Sequence, residues 1–326
     1  MSFATLPIVD LKSDESTIVR SIFEACSTTG FFYLRNHNLR AAQNRMFSLA
    51  KEYFQLPMDI KNKHRINHNN FGFLGHGQEI LDTAKEVKQL EEKETFHFTK
   101  GIQSSELPSL FGQQDNYLLI GNFHRNCYDL SMQLLTFLAK SLEISHDYFT
   151  LRHKWDMETN EILRLAHYPA ICKTSTSDKP SIRAGAHSDF GSITLVFQHD
   201  QQGGLEVLDR STNIWYSVEA HDDMIVVNFG DVCEYWSKGL IKSSVHRVVT
   251  PVTDTDNERF SIIYFAYPNL SEPLTPIPSK FIENRQFIKD AHTQHVLDHK
   301  NEEVLTAGEY LQMRLNKVQP HRLNVI

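Results

Sequence analysis

His187-Ser188-Asp189 sets an imidazole and a carboxylate two residues apart. On an extended chain such residues point to the same side, where both could grip one metal ion. The pattern alone decides nothing, because a chain with 17 His and 19 Asp contains about one such triplet by composition. A second one does occur, at His221-Asp222-Asp223, in a polar turn just ahead of the apolar run Met224–Phe229. It reads as solvated loop. His187 and Asp189 instead follow Arg183-Ala184-Gly185-Ala186 and precede a strand-like run. Downstream, Ser243-Ser244-Val245-His246-Arg247-Val248 offers a third donor, His246, after enough chain for several strands to return it. Two imidazoles and one carboxylate on one face leave open positions on an octahedral metal, a ligand set suited to non-haem Fe(II).

Arg259-Phe260-Ser261 follows, the sole R-x-S in the chain. On a strand, Arg259 and Ser261 share a face, and a guanidinium beside a hydroxyl is a good receptor for a carboxylate. The competing reading is an exposed arginine at a strand end. The order H-x-D, His, R-x-S favours the receptor.

These groups need elements to hold them. Glu15–Ser27 has apolar residues at Ile18, Val19, Ile22, Phe23 and Cys26, one buried face of a helix, and Gly30 suits the position after its end. Pro7–Leu11 and Phe31–Leu34 read as strands. Arg40–Leu56 reads as a helix stopped by Pro57, and Asn116–Leu142 as the longest helix. From Ile162 onward, short β-branched and aromatic runs recur between turn residues: Ile162–Tyr168, Ser192–Gln198, Gly204–Val207, Trp215–Val218, Met224–Phe229, Val245–Val249 and Phe260–Tyr267. That spacing suggests a barrel or jelly roll. Thr306-Ala307-Gly308-Glu309 resembles a capping box opening a last helix. The expected layout is a mostly β core with flanking helices: a helical and strand region over 1–155, the core over 156–275 and a helical tail over 276–326. Phe71–Gly77 lacks the G-K-[ST] ending of a P-loop and reads as a flexible flap. His97 reads as a packed or surface histidine, and Arg247 as half of a structural ion pair.

Composition narrows the function. The chain has 326 residues, 40% hydrophobic and 22% charged, with net charge −7. Enough apolar material is present for a sizeable core, and an acidic balance gives no general drive toward nucleic acid. No stretch approaches the ~20 apolar residues of a membrane span, and the first residues show neither the basic nor the apolar region of a signal peptide. Cys26, Cys127, Cys172 and Cys233 are scattered, as expected of reduced thiols in a cytoplasmic protein.

With these residues in place, the chain resembles the Fe(II)/2-oxoglutarate-dependent dioxygenases of the isopenicillin N synthase-like family. The likeness covers nearly the whole chain. It rests on Leu6–Leu11, Gly30–His37, Phe54-Gln55-Leu56-Pro57 with Lys61, Leu163–Pro169, Val227–Asp231 and His246-Arg247-Val248, besides the ordered ligand motifs. Fungal thymine 7-hydroxylase-like proteins share the look of Ile162–Leu165, His167–Ala170, Gly191–Leu195 and Lys242–Val249. The chain departs from that subgroup at Glu161, where Asn is usual, and at Phe190, where Tyr is usual, so thymine is not the expected substrate. Ala166 stands where many plant members have Asn.

The resemblance implies a double-stranded β-helix (a distorted jelly roll). It implies Fe(II) on His187, Asp189 and His246, and the distal carboxylate of 2-oxoglutarate on Arg259 and Ser261 with Tyr168 as a further donor. Parity agrees for Tyr168, since Arg164, Ala166 and Tyr168 share a strand face. O2 would be the second co-substrate, with succinate and CO2 as co-products of oxidising, typically hydroxylating, a small molecule. Strand parity also brings Arg164 and Phe265 to the iron side as candidate substrate contacts. Phe190 is a weaker candidate, because parity from Asp189 aims it outward unless the chain turns at Gly191. Two alternatives stay open. One is an oxidase of the same fold that does not use 2-oxoglutarate, distinguished by the lack of succinate. The other is a catalytically silent small-molecule-binding protein, distinguished by the lack of iron-dependent O2 consumption.

Overall fold

The computed structural model describes residues 3–78, 92–170, 181–199, 202–250, 257–286 and 304–318. Cys172 and the C-terminal residues lie outside them. Among the described residues twelve strands, β1 Ile8–Asp10, β2 Phe31–Arg35, β3 Gly72–Leu74, β4 Glu94–Phe98, β5 Ile162–Tyr168, β6 Ser181–His187, β7 Ile193–Gln198, β8 Leu205–Asp209, β9 Ile214–Ser217, β10 Met224–Phe229, β11 His246–Thr250 and β12 Arg259–Ala266, form two sheets. The larger sheet runs β1-β2-β10-β7-β12-β5-β4-β3 and the smaller β6-β11-β8-β9. All pairings are antiparallel except β1 with β2. Helices flank the sheets: α1 Glu15–Ser27, α2 Arg40–Phe54, α3 Met58–Lys61, α4 Ser109–Gly112, α5 Gln114–Ser141, α6 Asp231–Trp236 and α7 Ala307–Val318. The two sheets build a double-stranded β-helix, a distorted jelly roll. No helix among the described residues is long and apolar enough to cross a membrane.

Period-two alternation sorts the central strands into two cores. On β12, Phe260, Ile262, Tyr264 and Ala266 face the helices, with Leu163 and Leu165 of β5 and Leu195 and Phe197 of β7. The intervening Ile263, together with Ala166, Tyr168, Val196 and Val226, faces the smaller sheet's Ala184, Leu205, Val207 and Val248. Both faces of these strands are therefore buried, which explains their nearly continuous apolar runs. The second core is the barrel interior, and the residues singled out on chemical grounds open into it.

The helices follow their sequence signals. Asp14 caps α1 by accepting the Thr17 N–H at 3.0 Å, and Ile18, Ile22, Ala25 and Cys26 are its buried stripe. Gly30 adopts φ +71°, and a Cβ there would meet the Lys242 carbonyl oxygen at 2.0 Å, so no other residue fits without a backbone shift. α2 ends before Pro57. Lys61, buried on α3, donates to Glu94 Oε2 at 2.7 Å and to the Phe54 carbonyl at 3.0 Å, tying the N-terminal helices to β4. Thr306 and Glu309 form the expected box at α7: the Thr306 N–H donates to Glu309 Oε2 at 2.8 Å and the Glu309 N–H to Thr306 Oγ1 at 3.2 Å. One expectation is corrected. Residues 72–74 of the glycine-rich stretch are not a flap but strand β3, buried and paired with β4.

Burial of neutral histidines predicts acid lability. Burial lowers the pKa of His37, His124 and His153 from 6.5 to about 4 each. His153 is held as a neutral ring, its Nδ1–H donating to the Phe149 carbonyl at 2.7 Å and its Nε2 accepting from Ser192 Oγ at 2.8 Å. Because the unfolded chain binds these protons more readily, the stability contribution is complete above pH 6.5 and drains as pH falls toward 4. Each ring contributes up to about 3 kcal/mol. Glu161, raised to about 7 by burial, and Glu234, also raised by burial, work in the opposite sense. The net expectation is a loss on the order of a few kcal/mol, visible as a lower urea midpoint at pH 4 than at pH 6.5. Equal midpoints would show that the rings gain charge without penalty.

Candidate active site

His187 ends β6, and Asp189 comes from the turn that follows rather than from the strand itself. His246 opens β11, which pairs with β6 so that His246 lies directly across from His187. The two imidazole rings are 4.3 Å apart between centroids. One donor atom from each of the three residues falls within 4.8 Å of the others. Asp189 Oδ1 lies 4.0 Å from His187 Nε2 and 3.7 Å from His246 Nε2, too far for hydrogen bonds. Two metal bonds of about 2.0–2.2 Å span that gap.

The remaining atoms of the group are committed elsewhere. His187 Nδ1 donates to the Gly185 carbonyl at 2.8 Å and His246 Nδ1 to the Ser244 carbonyl at 3.1 Å, which leaves each Nε2 as the lone-pair atom facing Asp189. Asp189 Oδ2 accepts from Thr194 Oγ1 and from Asn228 Nδ2, both at 2.7 Å, leaving Oδ1 turned inward. Burial and the neighbouring His246 lower the His187 pKa to about 3, so the ring is neutral and its Nε2 can coordinate. Burial alone would raise the Asp189 pKa, but His246, His187, Asn228 and Thr194 outweigh it and hold it down. The turn is packed tightly enough to require glycine: a Cβ on Gly230 would lie 2.4 Å from the Gly191 carbonyl oxygen and 2.8 Å from that of Asp189. This donor set fits a divalent transition ion with positions left open.

Arg259 opens β12 opposite Tyr168 of β5. Its guanidinium lies 5.0 Å from the Tyr168 ring centroid, donates to the Gly203 carbonyl at 2.9 Å and reaches Ser261 Oγ at 3.3 Å. Arg164 stands over the Phe265 ring at 5.0 Å. It does not pair with Glu161, which lies on the helix-facing side and takes Thr159, Tyr264 and Lys100 as partners. The triad, Arg259, Ser261, Tyr168, Arg164 and Phe265 all line one cavity of about 60 Å³. That is well below the ~300 Å³ of ordinary ligand pockets, so the long side chains on its wall must move when small molecules enter. A larger cleft of about 760 Å³, between the N-terminal segment at Phe3–Leu6 and the end of β8, includes none of these residues.

Phe190 is not brought to the cavity. The chain turns after β6, and its ring packs under the Arg314 guanidinium of α7 at 4.2 Å. His221 and Asp223 lie apart from the site, with Asp223 exposed beside Arg35 at 3.7 Å. His97 is fully buried and bonded to Thr95 at 3.1 Å. Arg247 pairs with Glu206 at 2.7 Å.

Three residues of the site were not identified from sequence. Asn228 had a signal, a lone amide in the apolar strand Met224–Phe229, because a buried polar side chain requires a partner. Thr194 had none that separates it from an ordinary β-branched strand residue. Lys93 precedes β4, a strand whose composition did not show.

The 2OG-Fe(II) oxygenase superfamily model matches residues 159–268, and the model of the N-terminal region of non-haem dioxygenases in morphine synthesis matches residues 6–114. The 2-oxoglutarate-dependent dioxygenase gloF of Glarea lozoyensis is 31% identical, covering 78% of this chain and 82% of its own. The proline hydroxylase buaE of Petromyces alliaceus is 30% identical, covering 92% and 93%. Among solved structures, a full-length Neurospora crassa protein in complex with alpha-KG superposes with a TM-score of 0.77 at 28% identity, covering 95% of each chain. The same protein has been solved with alpha-KG and thymine, at a TM-score of 0.77 and 26% identity over 96% of each chain. From its core strands to its N-terminal region, this chain belongs to the 2OG-Fe(II) oxygenase superfamily and is a 2-oxoglutarate-dependent non-haem iron dioxygenase.

Proposed function

We propose that His187, Asp189 and His246 hold the iron, that Arg259, Ser261 and Tyr168 take the distal carboxylate of 2-oxoglutarate, and that Arg164 and Phe265 contact a small substrate that is hydroxylated. The observation that carries this reading is the meeting of three donor atoms within 4.8 Å on the barrel-interior face, on the same cavity wall as the arginine, hydroxyl and phenol. When bound, iron with 2-oxoglutarate and O2 supplies the oxidant for a substrate C–H bond, with succinate and CO2 as co-products. The residues of the chain supply position, dryness and charge. Gly185 and Ser244 carbonyls fix the histidine tautomers, and Thr194 and Asn228 fix the carboxylate. Losing such an outer partner typically costs about 10–100-fold in metal affinity or activity. Arg259 gives a planar fork, aimed by the Gly203 carbonyl, and Ser261 adds a hydroxyl. On this reading residues 156–275 are the catalytic core, with 1–155 packing on it and 276–326 as a tail. The buried, unbridged Cys26, Cys127 and Cys233 support a cytoplasmic setting.

The test is titration. Arg259→Lys should weaken 2-oxoglutarate by roughly 30- to 150-fold, about 2–3 kcal/mol, because a point charge replaces a fork in a dry site. Iron affinity should change little. Unchanged 2-oxoglutarate affinity would remove Arg259 from the co-substrate site.

A further inference from the structure

Behind the residues proposed for the co-substrate, on the opposite side of the same strands, lies a clamp that the chemistry above does not use. His167 precedes Tyr168 on β5, and Glu258 precedes Arg259 at the start of β12. Arg259 lies directly across from Tyr168, and Phe260 across from His167. Successive residues of a strand point to opposite faces. Tyr168 and Arg259 line the cavity, so His167 points to the helix side. It is 8% exposed and stacks between Phe54 of α2 and Phe260, with ring centroids 5.3 and 4.7 Å away. Its Nδ1 lies 2.8 Å from Glu94 Oε1 and its Nε2 lies 2.9 Å from Glu258 Oε2. Gln202 braces the same corner, its amide donating to the Glu258 carbonyl and accepting the Phe260 N–H, each at 2.9 Å. An ionised carboxylate only accepts, and a neutral imidazole has a single N–H. Two hydrogen bonds from one ring to two carboxylates therefore need a proton on both nitrogens. Burial alone would raise the Glu94 pKa, but His167 and Lys61 outweigh it and hold it down, so Glu94 does not supply the second proton. The Glu258 side chain is 48% exposed, where water solvates its charge. The ring is the remaining place for that proton.

We infer that His167 is a positioning residue of the co-substrate site: a doubly donating imidazolium that ties Glu94 of β4 to Glu258 and so fixes Arg259 against Tyr168. This rests on the 2-oxoglutarate assignment above. The ring acts from behind the cavity wall, through the strand pair that carries the two contacts. When it gives up its second proton, one carboxylate contact is lost. The contact released is Glu258, because water replaces it there at little cost, while Glu94 stays buried beside Lys61 at 2.7 Å. Arg259 then loses the anchor of the residue next to it. The protonated ring is the competent form, so 2-oxoglutarate affinity is full at low pH and falls as pH rises. Among the described residues, the other charged and titratable groups facing the clamp are Lys51, 5.8 Å from the Phe260 ring centroid, His199, whose ring lies 6.5 Å from it, and His76, held below its usual pKa by burial. Arg183 and Arg259 stand 5.9 and 5.0 Å from the Tyr168 ring. All of these stay in place when Glu258 alone is changed.

The experiment uses the full chain loaded with manganese(II) and titrates 2-oxoglutarate calorimetrically between about pH 6.5 and about pH 8.5. Wild-type affinity should fall by about fivefold or more across that range. Glu258→Gln, at an exposed position, should hold its affinity within about twofold, because a carboxamide can donate to a neutral ring and the clamp no longer needs the second proton. His167→Gln should weaken 2-oxoglutarate by about tenfold at the acid end, the loss of a hydrogen bond to a charged group, while manganese affinity stays near wild type. In protein labelled with nitrogen-15 histidine, the ring signal that disappears in His167→Gln should show both nitrogens protonated in the wild type near neutral pH. A neutral-ring signal there, or the same pH profile in wild type and Glu258→Gln, overturns the inference. Failure of the underlying assignment reads differently: Arg259→Lys would leave 2-oxoglutarate affinity unchanged, and the positioning role would fall with it whatever the ring signal shows.

Discussion

Asp189→Ala is expected to abolish turnover while leaving a folded protein. The carboxylate does two jobs with two oxygens. Oδ2 is spent on Thr194 and Asn228 at 2.7 Å each, and Oδ1 faces the two Nε2 atoms at 3.7 and 4.0 Å. On the proposed assignment, alanine removes one of three ligands and a negative charge set against the metal. Loss of an outer-shell partner alone typically costs about 10–100-fold in metal affinity or activity, so loss of the ligand should exceed that and put succinate release below about one-hundredth of wild type. Folding should survive. The change leaves two buried donors, Thr194 Oγ1 and Asn228 Nδ2, without their acceptor, a penalty of about 1–3 kcal/mol each, while the carboxylate that burial disfavoured is gone. The control is Asp223→Ala, the aspartate of the other H-x-D, whose side chain is 57% exposed and 3.7 Å from Arg35. It should change activity and melting temperature negligibly. Wild-type turnover by Asp189→Ala, measured by succinate release and metal titration, would show that the iron lies elsewhere.

The contrast between these two aspartates shows what the sequence carried. Both triplets have the same letters. The one at His187 was separable because a His and an R-x-S follow it in order on strand-like runs, and because alternation on β5 and β12 assigns Arg164, Tyr168, Arg259, Ser261 and Phe265 to one face. Period-two strands buried on both faces announce themselves by apolar runs, which is why β5, β7, β10 and β12 were legible. β3, β4 and β6 were not. Gly72-Phe73-Leu74 looked like loop because of its glycines. Yet Gly72 is there because a Cβ would meet the His64 carbonyl oxygen at 2.6 Å. Glu94-Thr95-Phe96-His97-Phe98 and Ser181–His187 are strands whose polar residues find partners in the fold, as Glu94 does in Lys61 of α3 and His167 of β5. Missing β4 concealed Lys93. Parity from Asp189 aimed Phe190 outward, but its partner there, Arg314, is far along the chain, and no local pattern encodes that contact.

Arg314 leads to the second large effect. On α7 it donates to Asp231 Oδ2, beside Tyr310, whose hydroxyl donates to the same oxygen at 3.0 Å. Asp231 Oδ1 accepts from Ser243 Oγ at 2.6 Å. The Asp231 backbone N–H donates to the Asp189 carbonyl at 2.8 Å. One buried carboxylate, 1% exposed, thus joins the tail helix, the turn bearing Asp189 and the segment leading to His246. Burial alone would lower the Arg314 pKa, but Asp231 and Tyr310 outweigh it and raise it, as expected of a charge held by its partner. Arg314→Met should therefore destabilise the fold by about 3–5 kcal/mol, because it takes the paired cation away from a buried carboxylate. Metal affinity should fall as well, since the Asp189 turn loses its brace and Phe190 loses the guanidinium stacked on it. The double variant Asp231→Asn/Arg314→Met removes both charges and should recover much of the stability, a coupling that a urea-unfolding cycle measures directly. It should recover less of the metal affinity, because an amide does not restore the link to α7. Additive losses in the cycle would mean that the pair is not coupled, and unchanged metal affinity in Arg314→Met would mean that the ligand turn stands without the tail helix.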